Sequence, residues 1–216
     1  LDCRQYRDHQ ACLDPNRGGG RVVVGCDALS DPARSMLGAA QEQWLTEGLT
    51  RSTRRWKLVA QSTQMSSSGV NTPLGRSAFT DGWDGYPQAR VKLLRTVAQA
   101  GVQNVLMLGG DVHMNVAAQL RVQANDERSP VVAGEIVTTS VTSRGLGEKL
   151  LAQIRDNNPD ILHARSDERG FTLLDVRPDR VTADFRTTPN PAQANGVFRS
   201  QGQWVIRSGV PGVQKA

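Results

Sequence analysis

Histidine, cysteine and lysine are all scarce in this sequence. It has three histidines (His9, His113 and His163), three cysteines (Cys3, Cys12 and Cys26) and four lysines among 216 residues. With three histidines, a metal centre built wholly from imidazole is excluded within the chain, so any centre must be rich in oxygen donors or incomplete. No two cysteines form a Cys-x-x-Cys pair, which argues against a zinc ribbon. No apolar run approaches the roughly 18–20 residues of a membrane span. The longest, around Val105-Leu106-Met107-Leu108, is the size of a strand. A GxSxG nucleophile elbow, a Walker phosphate loop and a GxGxxG fingerprint are all missing. No charged n-region followed by an apolar h-region is present, so no signal peptide is visible.

What is present describes a globular chain, large enough for one large domain or two small ones. Hydrophobic residues make up 38% and charged residues 22%, and 21 glycines raise the apolar share to an ordinary level. This composition excludes a disordered tail, a coiled coil and a disulfide-dense miniprotein. The net charge is +5, with 22 arginines carrying most of the positive charge. The basic residues are scattered among acids, and the densest cluster, Arg51, Arg54 and Arg55, ends a helix-like stretch where cations suit the dipole. A solvated surface and a polyanion-binding face are both open readings. All three cysteines lie in the first 26 residues. Cys12 and Cys26 flank a loop containing Pro15 and Gly18-Gly19-Gly20, and a disulfide closing it would imply an oxidising compartment. Three reduced thiols is the other reading.

Periodicity predicts an amphipathic helix over 36–50, with Ser35 as its N-cap, a short strand over 56–60 and a helix over 89–100. The run from Asn104 to Leu108 suits a strand buried on both faces. A strand over 131–138 and a helix over 145–154 follow. Residues 171–175 and 181–185 read as a hairpin, and 203–207 as a final strand. Residues 62–88 read as a long loop of the kind that often carries function. Alternation early and strands later indicate an α/β (α+β) layered core.

Three spots could carry chemistry. Gly109-Gly110-Asp111-Val112-His113 follows the buried strand, and places a carboxylate and an imidazole two residues apart where α/β sheets build their sites. Asp111 and His113 are therefore candidate metal ligands, against the plainer reading of a turn aspartate and a surface histidine. In Asp81-Gly82-Trp83-Asp84-Gly85-Tyr86-Pro87, the residues Trp83, Asp84 and Tyr86 could wall a substrate site. Arg90 could meet a phosphate with its fork. An aromatic-capped turn into the helix is the plainer reading. The hydroxyl-rich Thr138-Thr139-Ser140-Val141-Thr142-Ser143-Arg144-Gly145 could line a pocket or cap the next helix.

Taken in order, these stretches resemble the PhoD-like alkaline phosphatases, a branch of the calcineurin-like metallophosphoesterases. The resemblance is carried by Leu1-Asp2-Cys3-Arg4-Gln5-Tyr6-Arg7, Met36-Leu37-Gly38 with Gln43-Trp44-Leu45, Trp56-Lys57, Trp83-Asp84-Gly85-Tyr86-Pro87 with Arg90, and Gly110-Asp111-Val112-His113. Thr139-Ser140 with Thr142-Ser143, Asn158-Pro159, Arg169-Gly170-Phe171 and Gly209-Val210-Pro211-Gly212 continue it.

The resemblance implies a four-layer αββα sandwich that hydrolyses phosphate monoesters, and often diesters, with bound iron and calcium. It makes Asp111 and His113 metal ligands, with no protein nucleophile in this chain. Arg90 or Arg144 would orient phosphate, beside Trp83, Asp84 and Tyr86. If Cys12 and Cys26 pair, Cys3 is the odd thiol. The family's first metal-binding segments lie N-terminal to its Leu-Asp-x-Arg stretch. Residues 1–216 are therefore expected to be the C-terminal part of the catalytic domain, whose partner is the missing N-terminal half. Export to the periplasm or outside the cell is expected too, with a phosphate ester as substrate, no membrane span, and nucleic acid only as a diester substrate. A non-catalytic remnant and a basic polyanion-binding module are the competing readings.

Overall fold

A computed structural model describes residues 1–193 and 195–216. Three helices, α1 (Ala39–Arg51), α2 (Pro87–Gln99) and α3 (Glu148–Asn157), accompany two main sheets. The first sheet contains β2 (Lys57–Ala60), β6 (Val105–Gly109), β7 (Asn115–Arg121), β8 (Val131–Val137) and β9 (Ile161–Arg165). The second contains β10 (Arg169–Val176), β11 (Arg180–Thr188), β12 (Arg199–Arg207) and β13 (Gln214–Lys215). Two small ribbons complete the set: β1 (Val22–Val23) with β5 (Ala78–Phe79), and β3 (Asn71–Thr72) with β4 (Gly75–Arg76).

The first sheet is mixed, in the order β2-β6-β8-β7-β9. Strands β2, β6 and β8 run parallel, while β7 lies antiparallel to both β8 and β9. The central strand β6 is buried on both faces over Val105-Leu106-Met107, as its unbroken apolar run requires. Side chains alternate across the sheet. Met107 and Val105 join Leu45, Leu49, Leu93, Leu94 and Val97 beneath α1 and α2. Val116 and Ala118 pack with Leu151 and Ile154 of α3. On the opposite face, Leu106, Ala117 and Ile136 meet Val181, Ala183, Phe185, Trp204 and Ile206 of the second sheet. The layers are helices, mixed sheet, antiparallel sheet.

The second sheet is antiparallel, in the order β10-β11-β12-β13. Its outer face carries exposed Phe171 and Leu173, at 48% and 58%. Among the described residues no helix covers that face, so three layers of the expected four-layer sandwich are present here. The fold is α+β.

Several expectations shift. Helix α1 begins three residues later than expected, with Gly38 rather than Ser35 at its N-cap. Ser35 instead forms a turn just before it, its hydroxyl accepting from the N–H groups of Leu37 and Gly38. Strands β7 and β9 were not expected. Asn115-Val116-Ala117-Ala118-Gln119-Leu120 lacks the β-branched density that marks a strand. It becomes one because α3 and the second sheet bury both its faces.

Candidate functional site

Because β2, β6 and β8 run parallel, their C-terminal ends lie side by side. Three loops therefore meet there: residues 61–68 after β2, 110–114 after β6 and 138–147 after β8. Thr138 donates its N–H to the Gly109 carbonyl at 3.0 Å, which continues the strand pairing into the loops.

The loop after β6 is wound tightly. Val112 donates back to the Gly110 carbonyl at 2.9 Å. Asp111 (φ 72°) and His113 (φ 57°) both sit in the left-handed region. Two non-glycine residues in that region within three positions store strain, which clusters where a site over-determines the backbone. The result brings both side chains to the surface end of a buried strand. His113 is half-buried, and its Nδ1 lies 2.9 Å from the Arg144 carbonyl. A carbonyl can only accept, so Nδ1 carries a proton, and in the neutral ring the lone pair is on Nε2. Metal-binding histidines are held in this way by an outer partner. Gly145 is needed for the approach, since a Cβ there would lie 2.7 Å from the His113 carbonyl oxygen.

The Asp111 carboxylate is exposed and accepts from Arg4 Nη2 at 2.8 Å. Arg4 also pairs with Asp81, which Arg7 Nη2 meets at 2.7 Å. Burial pushes the Asp81 carboxyl up, but Arg4 and Arg7 together hold it below the usual carboxylate range.

The other expected site residues fare differently. Trp83 and Tyr86 are 1% exposed and Arg90 is 4% exposed. Trp83 Nε1 donates to Gln61 at 3.1 Å and the Tyr86 hydroxyl to the Asp8 carbonyl at 2.6 Å. Arg90 Nε donates to the Met65 carbonyl at 2.9 Å, inside the core. Asp84 accepts from the N–H and hydroxyl of Ser68 at 2.9 and 3.0 Å. Trp83, Tyr86 and Arg90 thus hold the turn into α2 from within the protein, while Asp84, half-buried, lies with Trp83, Ser68 and Val112 around a small cleft. Arg144 is the exception, because its side chain is exposed while its carbonyl holds His113. The hydroxyl run does not cap α3, whose N-cap is Gly147. Thr138 and Thr172 share a hydrogen bond at 2.7 Å, Ser140 donates to the Ser143 carbonyl at 2.6 Å within the run, and Thr142 and Ser143 are exposed. Cys12 is joined to Cys26, and Cys3 is a buried free thiol. Arg4 and Asp81 lie in stretches that the sequence marks, but their link to Asp111 joins segments far apart along the chain and leaves no local pattern.

The donor chemistry of Asp111 and of His113 Nε2 fits one side of a metal's coordination sphere. Among the described residues no group of three or more His, Cys, Asp or Glu side chains could hold a metal. The pair therefore fits as part of a larger donor set.

The model of the PhoD-like phosphatase family matches residues 1–185. The chain belongs to the PhoD-like phosphatase family. Alkaline phosphatase D of Bacillus subtilis (strain 168) is 33% identical over 218 residues, a match covering all of this chain and 36% of that protein. A solved structure described as that of PhoD superposes with a TM-score of 0.88 at 31% identity, covering all of this chain and 41% of the other. The chain thus spans little more than a third of the length of its curated PhoD-like relative. The match runs through the Asp111–His113 turn and ends within β11.

Proposed function

We propose that this chain is part of a metal-dependent phosphoesterase, an alkaline phosphatase of the PhoD type acting on phosphate monoesters, diesters or both. The observation that carries the reading is the Asp111–His113 turn, strained, placed at the end of the central parallel strand, with His113 held so that Nε2 is free. Asp111 and His113 would hold iron or calcium together with donors from segments that the relatives carry outside the matched region, completing a four-layer sandwich. A metal bound there supplies charge to polarise a phosphoryl group and to activate water. This chain's residues do the rest. His113 keeps its tautomer through the Arg144 carbonyl. Arg144 offers an exposed cation beside the site, suited to an anionic ester. The buried β6 fixes the height of the turn. The Cys12–Cys26 disulfide supports an oxidising, exported location, periplasmic or extracellular.

A second reading, a non-catalytic remnant, is favoured by the two-donor count among the described residues. Metal content separates the two. On the phosphoesterase reading, the chain completed by the flanking segments of its relatives retains iron or calcium on purification, and His113→Gln lowers retention at least about tenfold. Retention that ignores His113 would sink the ligand assignment. The polyanion reading finds little support, because Arg128, Arg165, Arg177 and Arg180 each lie beside a neighbouring aspartate rather than forming one basic face.

A further inference from the structure

The first ten residues converge on one carboxylate. Asp81 Oδ1 accepts from Arg7 Nη2 at 2.7 Å and from Gln10 Nε2 at 2.6 Å, while Oδ2 pairs with Arg4 Nη1. Arg7 Nη1 also donates to the Asp81 carbonyl at 2.7 Å. The segment itself is fixed against α1, where the Asp2 N–H donates to the Gln41 side chain at 2.8 Å and Gln41 Nε2 donates back to the Asp2 carbonyl at 2.8 Å. The Asp2 carboxylate accepts from the N–H groups of Arg4 and Gln5 at 2.8 and 2.9 Å, which sets the turn from which Arg4 projects. From the other side, Gly20 of the disulfide-closed loop packs so closely on Asp81 that a Cβ at Gly20 would collide with its side chain.

Asp81 is thus held from several directions, and Arg4 carries that fixation onward. One arm of its guanidinium is on Asp81, and the other is on Asp111 Oδ2 at 2.8 Å. Arg4 and Asp111 side chains are 39% and 35% exposed, so their pair adds little to folding. An arrangement of this precision at so small a gain in stability needs another reason, and orientation of Asp111 supplies one.

We propose that Arg4, anchored by Asp81, is a positioning residue that sets the carboxylate of Asp111 for its ligand role. The proposal rests on the reading of Asp111 as a ligand. Because both arms of the fork are engaged by carboxylates, Arg4 acts through Asp111 rather than on the ester. A lysine has one compact ammonium and cannot span the two carboxylates, so it should not replace arginine here.

The test compares R4Q, R4K and D81N in the 216-residue chain, read by the backbone amide resonances of Asp111, Val112 and His113 and by the urea midpoint. The expected result is that R4Q and R4K both move the three amides while the midpoint stays near that of the parent. D81N should move the same three amides even though Asp81 touches none of them. Amides unmoved in R4Q would overturn the proposal, and amides moved by R4Q yet unmoved by D81N would overturn the anchoring role of Asp81. In the completed enzyme, with p-nitrophenyl phosphate, R4Q should lower kcat about tenfold or more with KM unchanged. A raised KM with kcat intact would assign Arg4 to the substrate and overturn the positioning role. The resonances involve neither metal nor ester, so failure of the phosphoesterase reading would show in hydrolysis and leave them unaffected.

Discussion

Met65 is held at both ends of its backbone by charges from the core. Its N–H donates to Glu135 at 2.5 Å, the Ser66 N–H donates to the same carboxylate at 2.8 Å, and the Met65 carbonyl accepts from Arg90. Glu135 comes from the middle of β8 and Arg90 from α2, so the loop after β2 is pinned between a sheet and a helix. Burial pushes the Glu135 carboxyl up and the Arg90 guanidinium down, and each charge works against the other's shift. The two groups meet through the Met65–Ser66 backbone rather than in a direct ion pair, and Asp84 also acts on Arg90. Arg90→Met leaves the buried Met65 carbonyl without its donor and should lower the unfolding free energy by about 1–3 kcal/mol. Adding Glu135→Leu should cost less than the sum of the two single changes, as measured by urea denaturation. The same clamp explains why Arg90 could not be assigned from sequence. An arginine one turn into a helix, after two aromatics and two carboxylates, looks the same whether it faces solvent or the core. Only the fold shows that α2 lies with this face on the sheet.

At the scale of elements, the edge strand β9 carries a titratable group into the space between the sheets. His163 stacks on Phe185 with ring centroids 5.7 Å apart and tilts against Trp204 at 5.6 Å. Burial lowers its pKa below the ordinary value; a hydrogen-bond contact with Gln201 opposes this, and the charges of Arg165, Arg155 and Lys215 add to it. A lowered folded pKa means that the unfolded chain takes up the proton first. The contribution of neutral His163 is therefore complete above the unfolded value of about 6.5, and is lost as pH falls from there toward the folded value. Urea midpoints measured between pH 7 and pH 5 should fall in the parent chain. They should fall less in His163→Phe, which keeps the stacking and removes the proton. Much at this scale was legible beforehand. Strand β6 could be read because a continuous apolar run bounded by glycines suits a strand buried on both faces. The helices α1 and α2 followed from their 3.6-residue spacing. Strands β7 and β9 escaped notice because alanine, glutamine and histidine carry little strand preference, and tertiary burial decided their form. The Arg4–Asp81–Asp111 chain escaped because contacts across 77 and 107 residues leave no local pattern.

Across the whole molecule, the site is assembled from the first ten residues, the three loops at the sheet's C-terminal edge, and the disulfide loop behind Asp81. The disulfide spans 14 positions and closes a stretch rich in glycine, whose unfolded states are numerous. Replacing Cys12 and Cys26 together by alanine should cost about 3 kcal/mol in thermal or urea unfolding. By releasing Gly20 from Asp81, it should also move the same Asp111 and His113 amides. The measurement that tests the central claim most directly is the rate of p-nitrophenyl phosphate hydrolysis by the completed enzyme, with Asp111 present or changed to asparagine. A metal-dependent rate that falls at least about a hundredfold in Asp111→Asn is expected. Hydrolysis that proceeds undiminished in Asp111→Asn would contradict it.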